Sequence, residues 1–361
     1  MYCSNLDHGL WLDVFDQIAP CCFYDQNVFF TGKDTIRMYR QAFEPDRQAF
    51  KQGQWPSRCN YCENAERLTG KSPRTEYSSN HARLGMIEGQ LLTLGIILGN
   101  KCNLHCATCD AKYSTGWIKI AEEFKVNTAP AMQFDLARLD SIIDNLQFVK
   151  EIYFTGGEVM YMDEFLTTID YLTKRINLEN CKLKIASNAT IIPTQQHLQR
   201  WNLFDQVEIT LSIDGVGNQF EYVRHPAHWD QVLRSIEFYK QLPNVKLLCN
   251  STVSPLNIYN IDSIAEWGIR EFGLNIKFLG AQKRLWELWN IPEPLKNEIK
   301  QKYAGIGYAS KLVSQVDSAV EDTAAWQDFR TFVDLWDKKW NLDFSATFPE
   351  WSACIKKHNL W

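Results

Sequence analysis

Between residues 91 and 279, short apolar runs alternate with longer amphipathic segments. The runs have the length of buried strands, and the segments between them carry apolar residues at helical spacing. This alternation predicts a parallel sheet with right-handed helical crossovers. Six such units are too few for a closed eight-stranded barrel. The expected strands are Leu91–Leu98, Glu151–Thr155, Lys182–Ser187, Val207–Ser212, Val245–Thr252 and Leu274–Leu279, and the expected helices are Leu136–Val149, Met162–Arg175, Gln195–Trp201, Trp229–Gln241 and Ile261–Gly268.

Three cysteines follow the first expected strand in C-x₃-C-x₂-C spacing: Cys102, Cys106 and Cys109. Four thiolates hold an iron–sulfur cluster that only carries electrons. Three would leave one iron open, and an open metal position is where a substrate or cofactor binds. A structural zinc site needs four ligands, commonly in two pairs. The spacing favours a [4Fe–4S] cluster, with zinc as the alternative.

At this loop the chain resembles the radical S-adenosylmethionine (SAM) superfamily, and six strand–helix units fit the partial (β/α)₆ barrel of that superfamily. The resemblance implies a cluster whose unique iron chelates the amino and carboxylate groups of SAM. Its reduction would cleave SAM to methionine and a 5′-deoxyadenosyl radical that abstracts hydrogen from a substrate. The resemblance also implies an enzyme served by an electron donor such as flavodoxin or ferredoxin.

The first 80 residues hold five more cysteines: Cys3, Cys21, Cys22, Cys59 and Cys62. Residues 10–18 are expected to form a hairpin, and a polar helical segment is expected from about residue 34 to residue 52. A C-x₂-C pair such as Cys59 and Cys62 can bind zinc or iron or be redox-active. With cysteines upstream it completes a set of four thiolates, which favours an auxiliary [4Fe–4S] cluster over structural zinc.

The same segment resembles the twitch and SPASM modules of radical SAM enzymes, here placed before the barrel. A lone cysteine, a Pro-Cys-Cys and a C-x₂-C-x₃-E-x₃-G-x-S-x-R run carry the resemblance, as Cys3, Pro20-Cys21-Cys22 and Cys59 through Arg74. In related modules the cysteine directly after proline is the ligand, which implies Cys3, Cys21, Cys59 and Cys62 as the ligands. Adjacent residues on a strand point to opposite faces, so Cys22 is expected to face the core.

Ligand-binding side chains are expected where the predicted strands end, because parallel α/β sheets bind ligands at the carboxyl ends of their strands. Two adjacent glycines let the backbone approach a ligand closely, and a carboxylate can pair with a ligand's ammonium group. Hydroxyl and amide side chains suit the hydroxyls of a ribose, and a guanidinium suits a carboxylate. The alternative is that the polar residues only cap the following helices. The candidates are Gly156, Gly157, Glu158, Ser187, Asn188, Ser212, Asp214 and Arg224.

The resemblance gives these candidates roles. It implies that Gly156-Gly157-Glu158 contacts the SAM amino group and that Ser212 and Arg224 bind the carboxylate end. It places Ser187, Asn188 and Asp214 near the ribose or the substrate.

The composition narrows the choice of partners and location. With 22% charged residues and a net charge of −5, nothing indicates a nucleic-acid partner. The longest apolar run is too short to span a bilayer, and the first residues lack the features of a signal peptide. A cytoplasmic location is expected, in which eleven cysteines favour metal ligation over disulfides.

The expected fold class is α/β, with three regions. Residues 1–85 form the twitch-like auxiliary iron–sulfur module, 86–285 the partial (β/α)₆ barrel, and 286–361 a helical extension packed on the barrel. The expected function is a radical SAM enzyme acting on a peptide, a protein side chain or a small metabolite, and no acid–base pair is assigned because the cofactor carries the difficult step. The alternatives are a non-enzymatic two-cluster electron carrier, which needs a fourth thiolate near Cys109, and a zinc-stapled binding protein.

Overall fold

The computed structural model describes residues 1–24, 28–29, 35–273, 276–281, 283–317 and 322–361. Its centre is one nine-stranded sheet. The strands are β1 Gly9–Leu12, β2 Gln17–Ala19, β3 Val28–Phe29, β4 Thr93–Ile97, β5 Glu151–Thr155, β6 Lys182–Ser187, β7 Gln206–Ser212, β8 Val245–Val253 and β9 Lys277–Gly280. They are arranged in the order β3-β2-β1-β4-β5-β6-β7-β8-β9, with β1 and β4 to β9 parallel and β2 and β3 antiparallel to their neighbours.

Sixteen α-helices lie within these described ranges. Those before β5 are α1 Asn5–His8, α2 Thr35–Ala42, α3 Glu44–Lys51, α4 Asn60–Thr69, α5 Pro73–Leu84 and α6 Ile143–Leu146. Those of the barrel crossovers are α7 Asp163–Leu172, α8 Gln195–Trp201, α9 Asn218–Val223, α10 Trp229–Lys240 and α11 Ile261–Phe272. The last five are α12 Glu293–Lys302, α13 Ser310–Val316, α14 Thr323–Trp340, α15 Phe344–Thr347 and α16 Pro349–Lys357.

The predicted α/β fold with a partial barrel is confirmed. Strands β4 to β9 coincide with the six expected strands, although residues 274 and 275 of the last one lie outside the described ranges. Burial alternates along β6, where Leu183 and Ile185 are fully buried while Lys182, Lys184 and Ala186 are half-buried. The alternation places one face of the strand against the helices and the other toward the barrel interior.

The expected hairpin is present as β1 and β2, but it also joins the barrel sheet, which the sequence did not predict. β1 pairs in parallel with β4, so that Gly9 lies opposite Thr93 and Trp11 opposite Gly95. A Cβ on Gly95 would lie 2.2 Å from the indole of Trp11. The buried Trp11 ring therefore fits against β4 only because Gly95 has no side chain.

The N-terminal helices reach across the amino ends of the barrel strands. On α5, the fully buried imidazole of His81 lies 2.8 Å from the hydroxyls of both Ser4 and Thr93, which joins α5 to β4. The same helix contacts the other side of the sheet, since Glu76 lies 3.2 Å from Lys277 on β9. Helix α5 thus spans from the first to the last strand of the partial barrel.

The C-terminal helices pack against the opposite, carboxyl end of the barrel. The Trp336 indole on α14 donates a hydrogen bond to the carbonyl of Tyr222 (3.2 Å), and the Tyr222 hydroxyl donates to Asp337 (2.7 Å). The Trp351 indole on α16 donates to the carbonyl of Pro255 (2.7 Å). Among the described residues, no helix combines the length and the hydropathy that a bilayer crossing requires.

Candidate active site

A cavity of about 280 Å³ lies at the carboxyl ends of β4 to β8. The thiols of Cys102, Cys106 and Cys109 form part of its wall. The predicted residues Gly156, Gly157, Ser187, Asn188, Ser212 and Arg224 also line it, whereas Glu158 and Asp214 do not. The structure therefore brings most of the predicted SAM site together around the three thiols.

Backbone hydrogen bonds hold the cysteine loop in place. The N–H groups of His105 and Ala107 donate to the carbonyls of His225 (2.9 Å) and Val223 (2.7 Å). The Trp117 indole donates to the carbonyl of Cys106 at 3.1 Å. The His105 ring packs against Trp340 of α14 in a tilted arrangement, with 4.6 Å between ring centroids. This loop is therefore fixed by contacts that do not involve the thiols.

Burial favours the protonated form of all three thiols. Burial raises the pKa of Cys102 to about 12 and also raises those of Cys106 and Cys109. Arg224 lies 4.0 Å from the Cys106 sulfur and lowers the pKa of that thiol, as Lys283 does for Cys109. Deprotonating three buried thiols together requires a strong positive charge between them, such as a bound metal would supply.

The two glycines after β5 are required by the packing of two loops. A Cβ on Gly156 would lie 2.5 Å from the carbonyl oxygen of Gly99, and one on Gly157 would lie 2.3 Å from that of Lys101. The Gly157 N–H donates to the Gly99 carbonyl (2.9 Å), and the Glu158 N–H donates to Lys101 (3.0 Å). The glycines thus bring the β5 loop against the start of the cysteine loop, in addition to leaving their backbone facing the cavity.

Glu158 lies behind the cavity wall. Its fully buried carboxylate accepts hydrogen bonds from the Asn188 N–H (2.7 Å) and the Ser187 hydroxyl (3.1 Å). Burial raises the pKa of this carboxyl to about 7, although these hydrogen bonds lower it. The Asn188 amide in turn donates to Asn103 at 2.9 Å, which ties the β6 loop to the cysteine loop. Glu158 therefore positions two lining residues.

Asp214 also lies behind the wall, where it holds Arg224. The two side chains are 2.8 Å apart, with 1% of the Asp214 and 11% of the Arg224 side chain exposed. The Asp214 carboxylate also accepts the Thr252 N–H at 2.7 Å. Burial raises the pKa of Asp214, and the guanidinium of Arg224 lowers it. The Nε atom of Arg224 is buried and has no hydrogen-bond partner among the residues that the structure describes.

Residues 96–266 match the family model of the radical SAM superfamily. Residues 96–266 are a radical SAM domain. It is 24% identical over 199 residues to molybdenum cofactor biosynthesis protein 1 of Dictyostelium discoideum, and the match covers 55% of this chain but only 30% of that protein.

Two solved structures are similar to this radical SAM protein. Native anSMEcpe with bound AdoMet aligns with a TM-score of 0.42 and 16% identity over 69% of this chain and 61% of that one. Streptococcus suis SuiB bound to precursor peptide SuiA aligns with a TM-score of 0.40 and 11% identity over 96% of this chain and 74% of that one.

Two of the further residues that line this cavity carry polar groups that no sequence pattern predicted, Lys283 and Tyr113. Lys283 follows β9, and its ammonium lies 2.9 Å from the buried carboxylate of Asp110. Tyr113 lies beside it, 5.5 Å from the ammonium to the ring centroid. Lys283 is a single cation far from the cysteine loop in sequence, so only the fold shows that it adds positive charge to this cavity.

A second, smaller cavity lies at the amino ends of the strands. It is lined by the four cysteines expected to be auxiliary ligands, Cys3, Cys21, Cys59 and Cys62, together with Arg58 and Arg74. Burial raises the pKa of Cys3 to about 12 and raises those of Cys21, Cys59 and Cys62. Four buried thiols beside two guanidinium groups are a donor set that suits an anionic thiolate-bound cluster.

The expected burial of Cys22 is wrong. Cys22 is exposed and does not line this second cavity. The reason is that Cys21 and Cys22 lie in a turn after β2 and not on a strand, so the alternation of strand faces does not apply to them.

Proposed function

We propose that this chain is a radical SAM enzyme that binds a [4Fe–4S] cluster at Cys102, Cys106 and Cys109 and cleaves SAM reductively. The 5′-deoxyadenosyl radical then abstracts hydrogen from a substrate that is a peptide, a protein side chain or a small metabolite. The supporting observation is that the three thiols, the Gly156-Gly157 turn and Arg224 converge on one cavity. Bound there, the cluster supplies the electron that breaks a carbon–sulfur bond of SAM.

The residues around the thiols provide complementary groups for the two ends of SAM. The backbone at Gly156-Gly157 faces the cavity and can accept from the amino group. The unpartnered Nε of Arg224 and its remaining donors can bind the carboxylate, with Ser212 beside them. Ser187 and Asn188 offer polar groups for the ribose or the substrate, since Glu158 fixes both.

We also propose that Cys3, Cys21, Cys59 and Cys62 hold an auxiliary [4Fe–4S] cluster in a twitch-like module. This site and the SAM site lie at opposite ends of the parallel sheet, separated at least by the length of β4, which is about 16 Å for five residues. A substrate inside the barrel would lie between them. The auxiliary cluster would then anchor the substrate or relay electrons. A one-electron donor such as flavodoxin or ferredoxin would supply those electrons.

The experiment that tests the function uses anaerobically reconstituted protein with SAM and dithionite. We expect a brown protein whose spectrum changes with SAM and which forms 5′-deoxyadenosine and methionine, measured by mass spectrometry. A colourless protein that carries zinc would instead support the zinc-stapled alternative. A brown protein that binds SAM without cleaving it under reducing conditions would contradict the proposal.

The role of Arg224 can be measured separately. Arg224→Ala is expected to weaken SAM binding by about 1.5–3 kcal/mol, the range for a hydrogen bond to a charged group. It also leaves the buried carboxylate of Asp214 without its partner, which destabilises a protein by about 3–5 kcal/mol. Arg224→Lys keeps the charge and should bind SAM more tightly than Arg224→Ala. Calorimetric titration with SAM measures the affinity of both variants and of the wild-type protein. Equal affinity in all three would give Arg224 a purely structural role.

A further inference from the structure

The run from Glu66 to Arg74 forms a tight corner between two helices. Glu66 lies in the last turn of α4, which ends at Gly70 in the left-handed conformation (φ 70°). Ser72 is the N-cap of α5, where its hydroxyl accepts the Thr75 N–H. Arg74 lies in the first turn of α5. The spacing E-x₃-G-x-S-x-R thus brings three polar side chains to one point.

At that point the guanidinium of Arg74 is held from several sides. Its Nε donates to Glu66 Oε1 (2.9 Å), its Nη2 donates to Glu66 Oε2 (2.6 Å), and its Nη1 donates to the carbonyl of Tyr2. The Ser72 hydroxyl donates to Glu66 Oε1 at 2.5 Å and so fixes the carboxylate. The guanidinium also lies 5.3 Å from the ring centroid of Trp55. Such a two-point bond to a carboxylate fixes both the position and the orientation of the positive charge.

The position matters because Arg74 lines the four-cysteine cavity and Glu66 does not. Cys3 and Cys62, two of the four expected ligands, line the same cavity as Arg74. The Glu66–Arg74 pair is neutral overall, but only its positive member lines the cavity.

We propose that Glu66, Ser72 and Arg74 form a charge-positioning unit that raises the reduction potential of a cluster bound at Cys3, Cys21, Cys59 and Cys62. Reduction adds one negative charge to the cluster, and a fixed guanidinium nearby stabilises the reduced form. Arg74 is a positioning residue in this account and not a ligand. The inference rests on the proposed auxiliary cluster, since without a cluster there is no potential to set.

The test uses the full chain carrying the Cys102→Ala/Cys106→Ala/Cys109→Ala substitutions, so that the auxiliary cluster is the only one present. Its potential is measured by anaerobic redox titration followed by electron paramagnetic resonance. At the midpoint potential of the parent protein, Arg74→Gln should lower the ratio of reduced to oxidised cluster about tenfold. This corresponds to a midpoint potential that is about 59 mV lower for a one-electron couple. Glu66→Gln removes the negative end of the pair and should shift the potential in the opposite direction. Arg74→Lys keeps the charge and should shift it less than Arg74→Gln.

A matched control removes a charge from the same corner without facing the cavity. Arg67 on α4 is exposed and donates to Asn64, so Arg67→Gln should leave the potential unchanged. Shifts of the same sign for Arg74→Gln and Glu66→Gln, or no shift in either, would overturn the inference. If Arg74→Gln fails to retain the cluster, a raised potential in Glu66→Gln supports the inference and an unchanged one overturns it. If the parent protein holds no iron at all, the auxiliary cluster itself is refuted, and the inference with it.

Discussion

The Cys102→Ala/Cys106→Ala/Cys109→Ala variant is expected to remain folded and to form no 5′-deoxyadenosine from SAM. Each substitution removes one thiolate from a site that offers only three, so no cluster can be held beside the SAM cavity. The fold should persist because the loop is anchored by its backbone to His225 and Val223 and by the Trp117 indole. Reductant-dependent 5′-deoxyadenosine, circular dichroism and iron content together measure the outcome.

The matched control for this variant is Cys181→Ala. Cys181 is also buried, but its sulfur lies 3.0 Å from the carbonyl of Val149 at the amino end of the sheet, away from both cysteine sites. This variant should cleave SAM at the wild-type rate. The radical SAM mechanism would be refuted by a triple variant that forms 5′-deoxyadenosine as fast as the control.

The second large effect is expected at the amino end of the barrel. The Cys59→Ala/Cys62→Ala variant should lose one of two clusters' worth of iron and sulfide, because two of four thiolates in that cavity are gone. The remaining cluster should still respond to SAM, because it lies at the other end of the sheet. Basal SAM cleavage should therefore survive better than substrate turnover. Unchanged iron content, with zinc in the wild-type protein, would replace the auxiliary cluster by a structural zinc site.

Cys21 and Cys22 provide an internal comparison for that experiment. Cys21 lines the cavity and Cys22 does not, although the two are adjacent in sequence. Cys21→Ala should lower the iron content as the double variant does, whereas Cys22→Ala should leave it at the wild-type level. The reverse result would exchange their roles and leave the four-thiolate site in place.

The strands of the barrel could be predicted because the order of apolar and polar residues along the chain marks them. Runs such as Lys182–Ser187 alternate between buried apolar and half-buried side chains, and the polar residues after them must meet at one edge of a parallel sheet. The predicted residues that line this cavity could therefore be expected to meet, whereas Tyr113 and Lys283 could not. The four-cysteine cavity was predictable only with the family resemblance, since spacing does not say which thiols meet.

The rest depended on contacts that leave no mark in the sequence. The four buried residues of β1 do not identify their partner, and β4 lies more than 80 residues away. The Gly156-Gly157 turn was interpreted as making room for a ligand, yet its immediate neighbours are the carbonyls of Gly99 and Lys101. The resemblance placed Asp214 near the ribose or the substrate, but in the structure its buried carboxylate is the counter-ion of Arg224.

The pairing of β1 with β4 also decides whether the first strand of the barrel is an exposed edge. Without the hairpin, β4 would present a row of unpaired main-chain groups, and such an edge recruits strands from other molecules. In the sheet as the structure describes it, β1 and β2 cover that edge of β4, and β3 is the outermost strand. A barrel fragment that begins after residue 85 would keep every residue of the proposed SAM site and still be expected to aggregate through the exposed edge of β4. The hairpin that precedes Cys21 thus also covers the main-chain groups of the first barrel strand.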